Sequence, residues 1–333
     1  MSNFTRSVLV TGGTTGLGFH AAAEIARQRP DWCVVIASRR DAEGSAESIN
    51  RRLKSGDRVQ FMALDLGDLK NVRAFVEIWA QKNLPPISVL LLNAGSQFPT
   101  GGIKYTADGF EATFGINHVG HALLFSLLRP YLADEARIVV TASGTHDPVQ
   151  KTGMPNANYT TAEELAHPAG PALKIPGRQR YTTSKLCNVL WTYALDRRLR
   201  RLPDDKKWTV VAFDPGLMPG TGLARQYPAL LQFMWKRVLP SLIPLLRLVL
   251  SPNIHRPAES GAALAWLALD DEASGVYFEG RRQIKSSVDS YDEAKQEELW
   301  SWTVKTLASD EQERRLFEVC SDVDFVIGSV DAG

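Results

Sequence analysis

Cysteine is nearly absent. Cys33, Cys187 and Cys320 are the only three in 333 residues. They lie far apart and give neither a disulfide framework nor a zinc-ligand spacing, so a reducing, cytoplasmic compartment is expected. Net charge is missing too. The 38 Lys+Arg and 37 Asp+Glu residues leave a formal +1, so bulk electrostatics give nucleic-acid binding no support. There is no internal repeat and no long low-complexity tract. No export segment is read at the start, where the first six residues lead directly into the apolar run Ser7-Val-Leu-Val10. One stretch, 229–250, approaches the length of a membrane span. Lys236, Arg237 and Arg247 interrupt it, and Pro240 and Pro244 break helix continuity. A substrate lid or packed helical flap is expected there, without a transmembrane span and with peripheral lipid contact as a secondary use.

What is present is an alternation. With 44% hydrophobic residues the chain can bury a sizeable core. Apolar runs at 7–11, 32–37, 59–63, 88–92, 137–141 and 208–213 read as strands, with a seventh near 275–278. They are too apolar for a sheet with one wet face, so helices should cover both sides. Residues 17–28, 41–53, 69–81, 108–132 and 258–269 read as those helices. Repeated strand–helix units predict an α/β fold, a Rossmann-type doubly wound parallel sheet of about seven strands. Residues 144–180 read as a long loop, 218–257 as a substrate-side flap, and 290–320 as a charged helical tail carrying Trp300, Trp302 and Phe317. No linker divides them, so one domain over 1–333 is expected.

The turn Thr11-Gly-Gly-Thr-Thr-Gly-Leu-Gly18 follows the first strand and opens the first helix. Gly12, Gly16 and Gly18 permit a tight turn and close approach to phosphate, and Thr14, Thr15 and Leu17 complete it. The helix N-terminus then offers free N–H groups to a pyrophosphate. The second strand ends at Ala37-Ser-Arg-Arg40. An acid there would accept a hydrogen bond from a ribose 2′-hydroxyl; serine and arginine instead suit a 2′-phosphate, which assigns Arg39 to NADP(H). Asp65 and Leu66 follow the third strand at the place of the adenine. Asn93, Ala94 and Gly95 follow the fourth, where small residues let backbone approach the cofactor.

Tyr181 and Lys185 are four residues apart and share one helix face. An ammonium beside a phenol favours the phenolate and lowers a pKa that is ordinarily about 10. Such a tyrosine exchanges a proton with a carbonyl or alcohol oxygen near neutral pH. Ser143 ends the fifth-strand segment Val139-Val-Thr-Ala-Ser143 and lies at the same sheet edge. His118 and His121 have no evident third metal ligand and read as core or helix-surface residues. His146 is a further candidate to touch a substrate.

As a set, Thr11–Gly18, Asp65, Asn93-Ala-Gly95, Asn117, Ser143, Tyr181-x-x-x-Lys185 and Pro215-Gly216 resemble the short-chain dehydrogenase/reductase family over roughly residues 7–280. The resemblance implies Tyr181 as general acid/base, Ser143 orienting the substrate oxygen, and Lys185 tuning the tyrosine and holding the nicotinamide ribose. It also implies Asn117 positioning a relay water, and Pro215, Gly216 and Thr221 lining the nicotinamide. Tyr181–Asn188 and Thr221–Arg225 resemble light-dependent protochlorophyllide reductases, while Lys104–Glu111 and Asn117–His121 are also similar to retinol-dehydrogenase-like members. Glu313–Cys320 resembles the tail of both branches. The photoreductases carry a cysteine just after the Pro-Gly pair; here Leu217 stands there, which favours dark carbonyl or alcohol chemistry. Ser143 and Tyr181 stand much closer together in common members, so 144–180 is an elaboration beside the site. With the flap it could enclose a large lipophilic substrate, such as a polyketide, terpenoid, sterol or retinoid-like ketone. The alternatives are C=C reduction as in the photoreductases and a non-catalytic NADPH-binding interaction protein. Homo-oligomerisation stays open.

Overall fold

The computed structural model describes residues 4–222 and 227–318. Arg225 of the flap and Val319-Cys320 of the tail lie outside the described residues.

Strands β1 (Arg6–Thr11), β2 (Trp32–Ser38), β3 (Val59–Ala63), β4 (Ile87–Leu92), β5 (Leu132–Thr141), β6 (Lys207–Asp214) and β7 (Val276–Glu279) pair in parallel. β8 (Arg282–Ile284) adds to β7 antiparallel, giving the order β3-β2-β1-β4-β5-β6-β7-β8. The fold is the expected doubly wound sheet with one strand more. β8 is three residues long and largely exposed, too short and polar to carry a readable period. The order reverses between β1 and β4, and the crevice beyond their carboxyl ends is where such sheets bind ligands.

The helices are α1 (Gly16–Gln28), α2 (Ser45–Leu53), α3 (Leu69–Gln81), α4 (Ala112–Phe114), α5 (Gly120–Leu128), α6 (Ala162–Ala166), α7 (Gly177–Leu199), α8 (Ala229–Phe233), α9 (Ile243–Val249), α10 (Pro257–Leu269), α11 (Glu293–Leu307) and α12 (Glu311–Phe317). Two cores follow from the period of two along the strands. Val8, Val10, Val34, Ile36, Val89 and Leu91 face the layer of α1 and α10. Leu9, Val35, Leu90, Leu92, Ile138 and Val140 face α3, α5, α7 and α11.

Helix boundaries moved where side chains cap or kink the backbone. The helix read over 41–53 starts at Ser45, because the Asp41 carboxylate accepts from Ser45 N (2.8 Å) and Ala46 N (3.1 Å). The stretch read as one helix over 108–132 is α4, a π turn at Gly115–Val119, α5 and a 3-10 turn at Arg129–Tyr131; Leu132 already belongs to β5. The segment 144–180 contains α6 and the first turn of α7. The tail breaks between α11 and α12, where Asp310 caps Glu313 N at 2.8 Å. Trp300, Trp302 and Phe317 are buried in the core.

The tail also fastens the 144–180 segment. Glu298 of α11 accepts from Ala162 N (3.1 Å) and from the Tyr159 hydroxyl, and Trp302 Nε1 donates to Glu163 Oε2 (2.8 Å). Between that segment and α7 lies a cavity of about 30 Å³, room for about one water. The segment packs as a wall against α7. The flap is α8, a π turn (Met234–Val238), a 3-10 turn (Leu239–Leu242) and α9. Among the described residues no helix is long and apolar enough to cross a membrane.

Candidate active site

The glycine turn is built for contact. Gly12 has φ +65°, and a Cβ there would meet Ala94 Cα at 3.0 Å. A Cβ on Gly18 would meet Gly12 O at 2.5 Å and Asn93 Nδ2 at 2.7 Å. Thr15 takes the N-cap position of α1 without a side-chain cap, and the first turn holds no acid. The leading N–H groups of α1 are therefore not consumed by its own side chains. Thr14 Oγ1 meets Ser38 Oγ at 3.0 Å, joining the turn to the end of β2. Leu17 is buried beneath it.

Beyond Ser38, Arg39 and Arg40 are exposed. Their nearest following acid, Asp41, is committed to the N-terminus of α2. Neither arginine makes an ion pair among the described residues. At β3, Asp65 Oδ1 accepts from Gly67 N (2.9 Å), and Leu66 is buried. At β4, Asn93 N and Ala94 N donate to Thr11 Oγ1 (2.8 and 3.0 Å), which locks this turn to β1.

The π turn sets Asn117. Its side chain accepts from Ser96 N (2.7 Å) and donates to Ser96 O (3.0 Å) and Ser184 Oγ (2.9 Å). Such turns place an extra residue in a helix and recur at functional sites. A Cβ on Gly95 would lie 3.5 Å from Asn117 Oδ1 and 3.6 Å from Lys185 Nζ, which puts the β4 turn against both residues.

Tyr181 and Lys185 project together from α7, with Lys185 Nζ 5.8 Å from the phenol ring centroid. The ammonium donates to Thr141 O at 2.8 Å, and Asn188 Nδ2 donates to the same carbonyl at 3.0 Å. The Tyr181 hydroxyl is hydrogen-bonded to Ser143. Ser143 Oγ also accepts from Thr145 Oγ1 (3.1 Å). Across the site, Gly216 (φ +75°) donates its N–H to Asp214 Oδ1 (3.0 Å), Ser260 Oγ donates to Pro215 O (2.7 Å), and Thr221 faces Gly16.

Burial holds the Tyr181 phenol well above its usual pKa, and the Asp214 carboxylate pushes it further the same way. The hydrogen bond from Ser143 opposes both. Burial likewise brings the Lys185 ammonium down to about 8, against the pull of Asp214. The expected lowering of the phenol by Lys185 is therefore reversed in this structure. The lysine points at a carbonyl, and desolvation of a phenolate outweighs its influence. At neutral pH Tyr181 is a phenol, the form that donates a proton.

Comparison with known proteins places this geometry. A family profile described as short chain dehydrogenase matches residues 6–162, and one described as AcuH dehydrogenase domain matches 223–316. Polyprenol dehydrogenase of Danio rerio is 31% identical over 303 residues, covering 88% of this chain and 83% of that protein. The chain belongs to the short-chain dehydrogenase/reductase family of oxidoreductases. Chloroplastic protochlorophyllide reductase of Daucus carota is 29% identical over 323 residues, covering 90% of this chain and 77% of that protein. A crystal structure of an uncharacterised protein from Mycobacterium paratuberculosis superposes with a TM-score of 0.63 at 25% identity, covering 94% of this chain and 95% of that one.

This short-chain dehydrogenase/reductase also carries a site residue, Asp214, that its motifs did not reveal. Asp214 is buried at the end of β6 and accepts from Gly216 N, Asn253 Nδ2 (2.9 Å) and the Gly144 backbone. It joins the Ser143 turn, the Pro215-Gly216 turn and the segment leaving the flap at Asn253. An acid immediately before Pro-Gly at a strand end was its only sequence signal. His121 donates from Nδ1 to Asn117 O (3.1 Å), so its Nε2 accepts from Thr11 Oγ1 (2.9 Å). Burial lowers His121 to about 4 and His118 to about 3, and both are core residues as read. No metal cluster occurs among the described residues. His146 is buried with both ring nitrogens engaged, Nδ1 donating to Ser143 O (2.7 Å) and Nε2 accepting from Ser287 N (3.1 Å). It positions the Ser143 turn.

Proposed function

We propose that this chain is an NADP(H)-dependent oxidoreductase that interconverts a ketone or aldehyde and an alcohol on a lipophilic small molecule. The observation that carries the reading is the convergence of Ser143, Tyr181, Lys185 and Asn117 on the β1/β4 switch point, facing Pro215 and Gly216. A dinucleotide fits the residues present. The close-packed Gly12–Gly18 turn and the uncapped start of α1 suit a pyrophosphate, with Thr14, Thr15, Gly16 and Leu17 beside it. Arg39, exposed and without an ion pair among the described residues, suits a 2′-phosphate. Asp65 and Leu66 would flank the adenine, Asn93, Ala94 and Gly95 the ribose side, and Pro215, Gly216 and Thr221 the nicotinamide.

When bound, the dinucleotide supplies the hydride. In the reducing direction the Tyr181 phenol gives its proton to the carbonyl oxygen, and Ser143 hydrogen-bonds that oxygen as charge develops. Lys185, beside the Tyr181 ring, would hold the nicotinamide ribose and support the tyrosine electrostatically. Asn117, its side chain fastened by Ser96 and Ser184, would position a relay water.

The apolar flap supports a lipophilic substrate, and so does the relationship to a protein named polyprenol dehydrogenase. C=C reduction is the second reading, since protochlorophyllide reductases are relatives. Leu217, not cysteine, after the Pro-Gly pair weighs against it. We read 1–333 as one domain.

Cofactor affinity tests the assignment. Arg39→Ala should weaken NADPH binding far more than NADH binding; equal losses would overturn the 2′-phosphate contact. Turnover confined to small polar sugars in a panel of ketones and alcohols would overturn the lipophilic substrate.

A further inference from the structure

Exposed apolar surface is concentrated in one place. Nine of the sixteen exposed large hydrophobic side chains of the described residues fall between Leu230 and Leu250. Leu230, Phe233, Leu245, Leu248, Val249 and Leu250 are all more than half exposed. So much exposed apolar surface within one segment marks a contact surface. The same segment is unusual in charge. From Pro215 to Ala258 there is no Asp or Glu, whereas Arg225, Lys236, Arg237, Arg247 and Arg256 all carry positive charge. Arg247 is paired with Glu259. Lys236 and Arg237 are exposed and make no ion pair among the described residues.

We infer that the outer face of 229–250 docks on the surface of a lipid bilayer bearing anionic headgroups. Leucines and Phe233 would enter the interface while Lys236 and Arg237 meet the headgroups, the division of labour of an interfacial helical segment. Geometry decides between lying on the bilayer and crossing it. Ala229–Val238 is the longest unbroken helical stretch of the flap before the Pro240 turn. Ten residues of helix span roughly 15 Å, about half the hydrocarbon core. Charge decides between a bilayer and a second copy of this chain. A self-complementary contact through this face would set Lys236 and Arg237 against their equivalents with no carboxylate in the patch to answer them.

The inner side of the same segment is tied to the active site. Trp235 Nε1 donates to Thr221 O (3.0 Å), and Ile254 pairs with Leu217. Ile243 is buried. Just ahead of the segment, Tyr227 accepts from Gln97 Nε2 (2.8 Å) and lies near enough to Tyr181 to influence its ionisation. A docked flap therefore sets the entrance of the site against the membrane, so that a lipophilic substrate enters from the lipid. This entry route rests on the substrate reading above; docking itself does not.

The test is co-sedimentation of the purified 333-residue chain with vesicles of phosphatidylcholine alone or mixed with phosphatidylserine. The wild type should sediment with the mixed vesicles and far less with phosphatidylcholine alone. Lys236→Gln with Arg237→Gln should lower partitioning about thirtyfold, from the usual contribution of two basic residues at an anionic surface. Leu230→Ser with Leu248→Ser should abolish it. Circular dichroism and thermal midpoints check that both variants fold. Failure of the wild type to bind mixed vesicles overturns the proposal, and so does equal binding by the variants. A dimer in lipid-free solution that the leucine variant dissolves, with no vesicle binding, assigns the face to a second copy and overturns it too. Vesicle binding is read without turnover, so it stands or falls independently of the catalytic reading.

Discussion

Asp214 shows what one side chain contributes beyond a motif. It is buried, answers three donors from three segments, and stands close enough to Tyr181 and Lys185 to raise both pKa values. Lys185 titrates at about 8 with that support. Asp214→Asn removes the charge, so Lys185 should lose its proton at lower pH. NADPH affinity, followed by fluorescence titration across pH, should then fall away at a lower pH than in the wild type; an unchanged midpoint contradicts the coupling. The variant should also lose about 1–3 kcal/mol of stability in urea denaturation, since an amide presents one acceptor oxygen where the carboxylate has two. Sequence reading found Tyr181, Lys185 and Ser143 because spacing and strand position announce them. Asp214 was not found, and the roles of His146 and His121 were not legible, because each also answers a partner far away in the chain: Asn253, Ser287 and Thr11.

At the scale of elements, the helix carrying Asn117 deviates most from the sequence reading. Apolar content predicted one helix over 108–132, but the chain inserts a π turn and follows it with Gly120. A Cβ at Gly120 would overlap the Leu66 carbonyl oxygen. In an exposed helix Gly→Ala stabilises by about 1 kcal/mol. Here Gly120→Ala should destabilise by about 1–3 kcal/mol through overpacking, and Asn117 should shift with it. Denaturation midpoints check the sign, and a stabilised variant contradicts the close approach. Six of the strands, by contrast, were legible to within a residue, because a parallel strand buried on both faces is a continuous apolar run bounded by turns; β5 starts at Leu132, five residues before the run read at 137–141, where Ala133, Asp134 and Glu135 are not buried. β8 and α6 were not legible, being short and held by partners distant in sequence.

The whole molecule should be acid-sensitive. His118 and His121 are neutral in the core, their pKa values brought from 6.5 to about 3 and about 4 by burial. The unfolded chain takes up these protons below about pH 6.5 and the folded chain does not. Their contribution to stability is thus complete above pH 6.5 and is lost as pH falls toward 4. The slope of unfolding free energy should approach about 1.4 kcal/mol per pH unit for each histidine. Urea midpoints between these limits measure it. A profile unchanged by His121→Asn would contradict this origin. The doubly wound architecture was legible from the alternation of runs. The way the tail clamps the 144–180 segment was not, since it depends on Glu298 meeting Tyr159 and Ala162 across the fold.

The proposed reaction depends on Tyr181 as the proton donor beside bound NADPH. Tyr181→Phe removes one oxygen from a buried side chain and leaves the glycine turn, Arg39 and Lys185 in place. NADPH binding and NADPH oxidation with a lipophilic ketone should be measured on the same preparation. Binding should stay close to that of the wild type while oxidation falls about 10²–10⁴-fold. Undiminished oxidation by the phenylalanine variant would contradict the account.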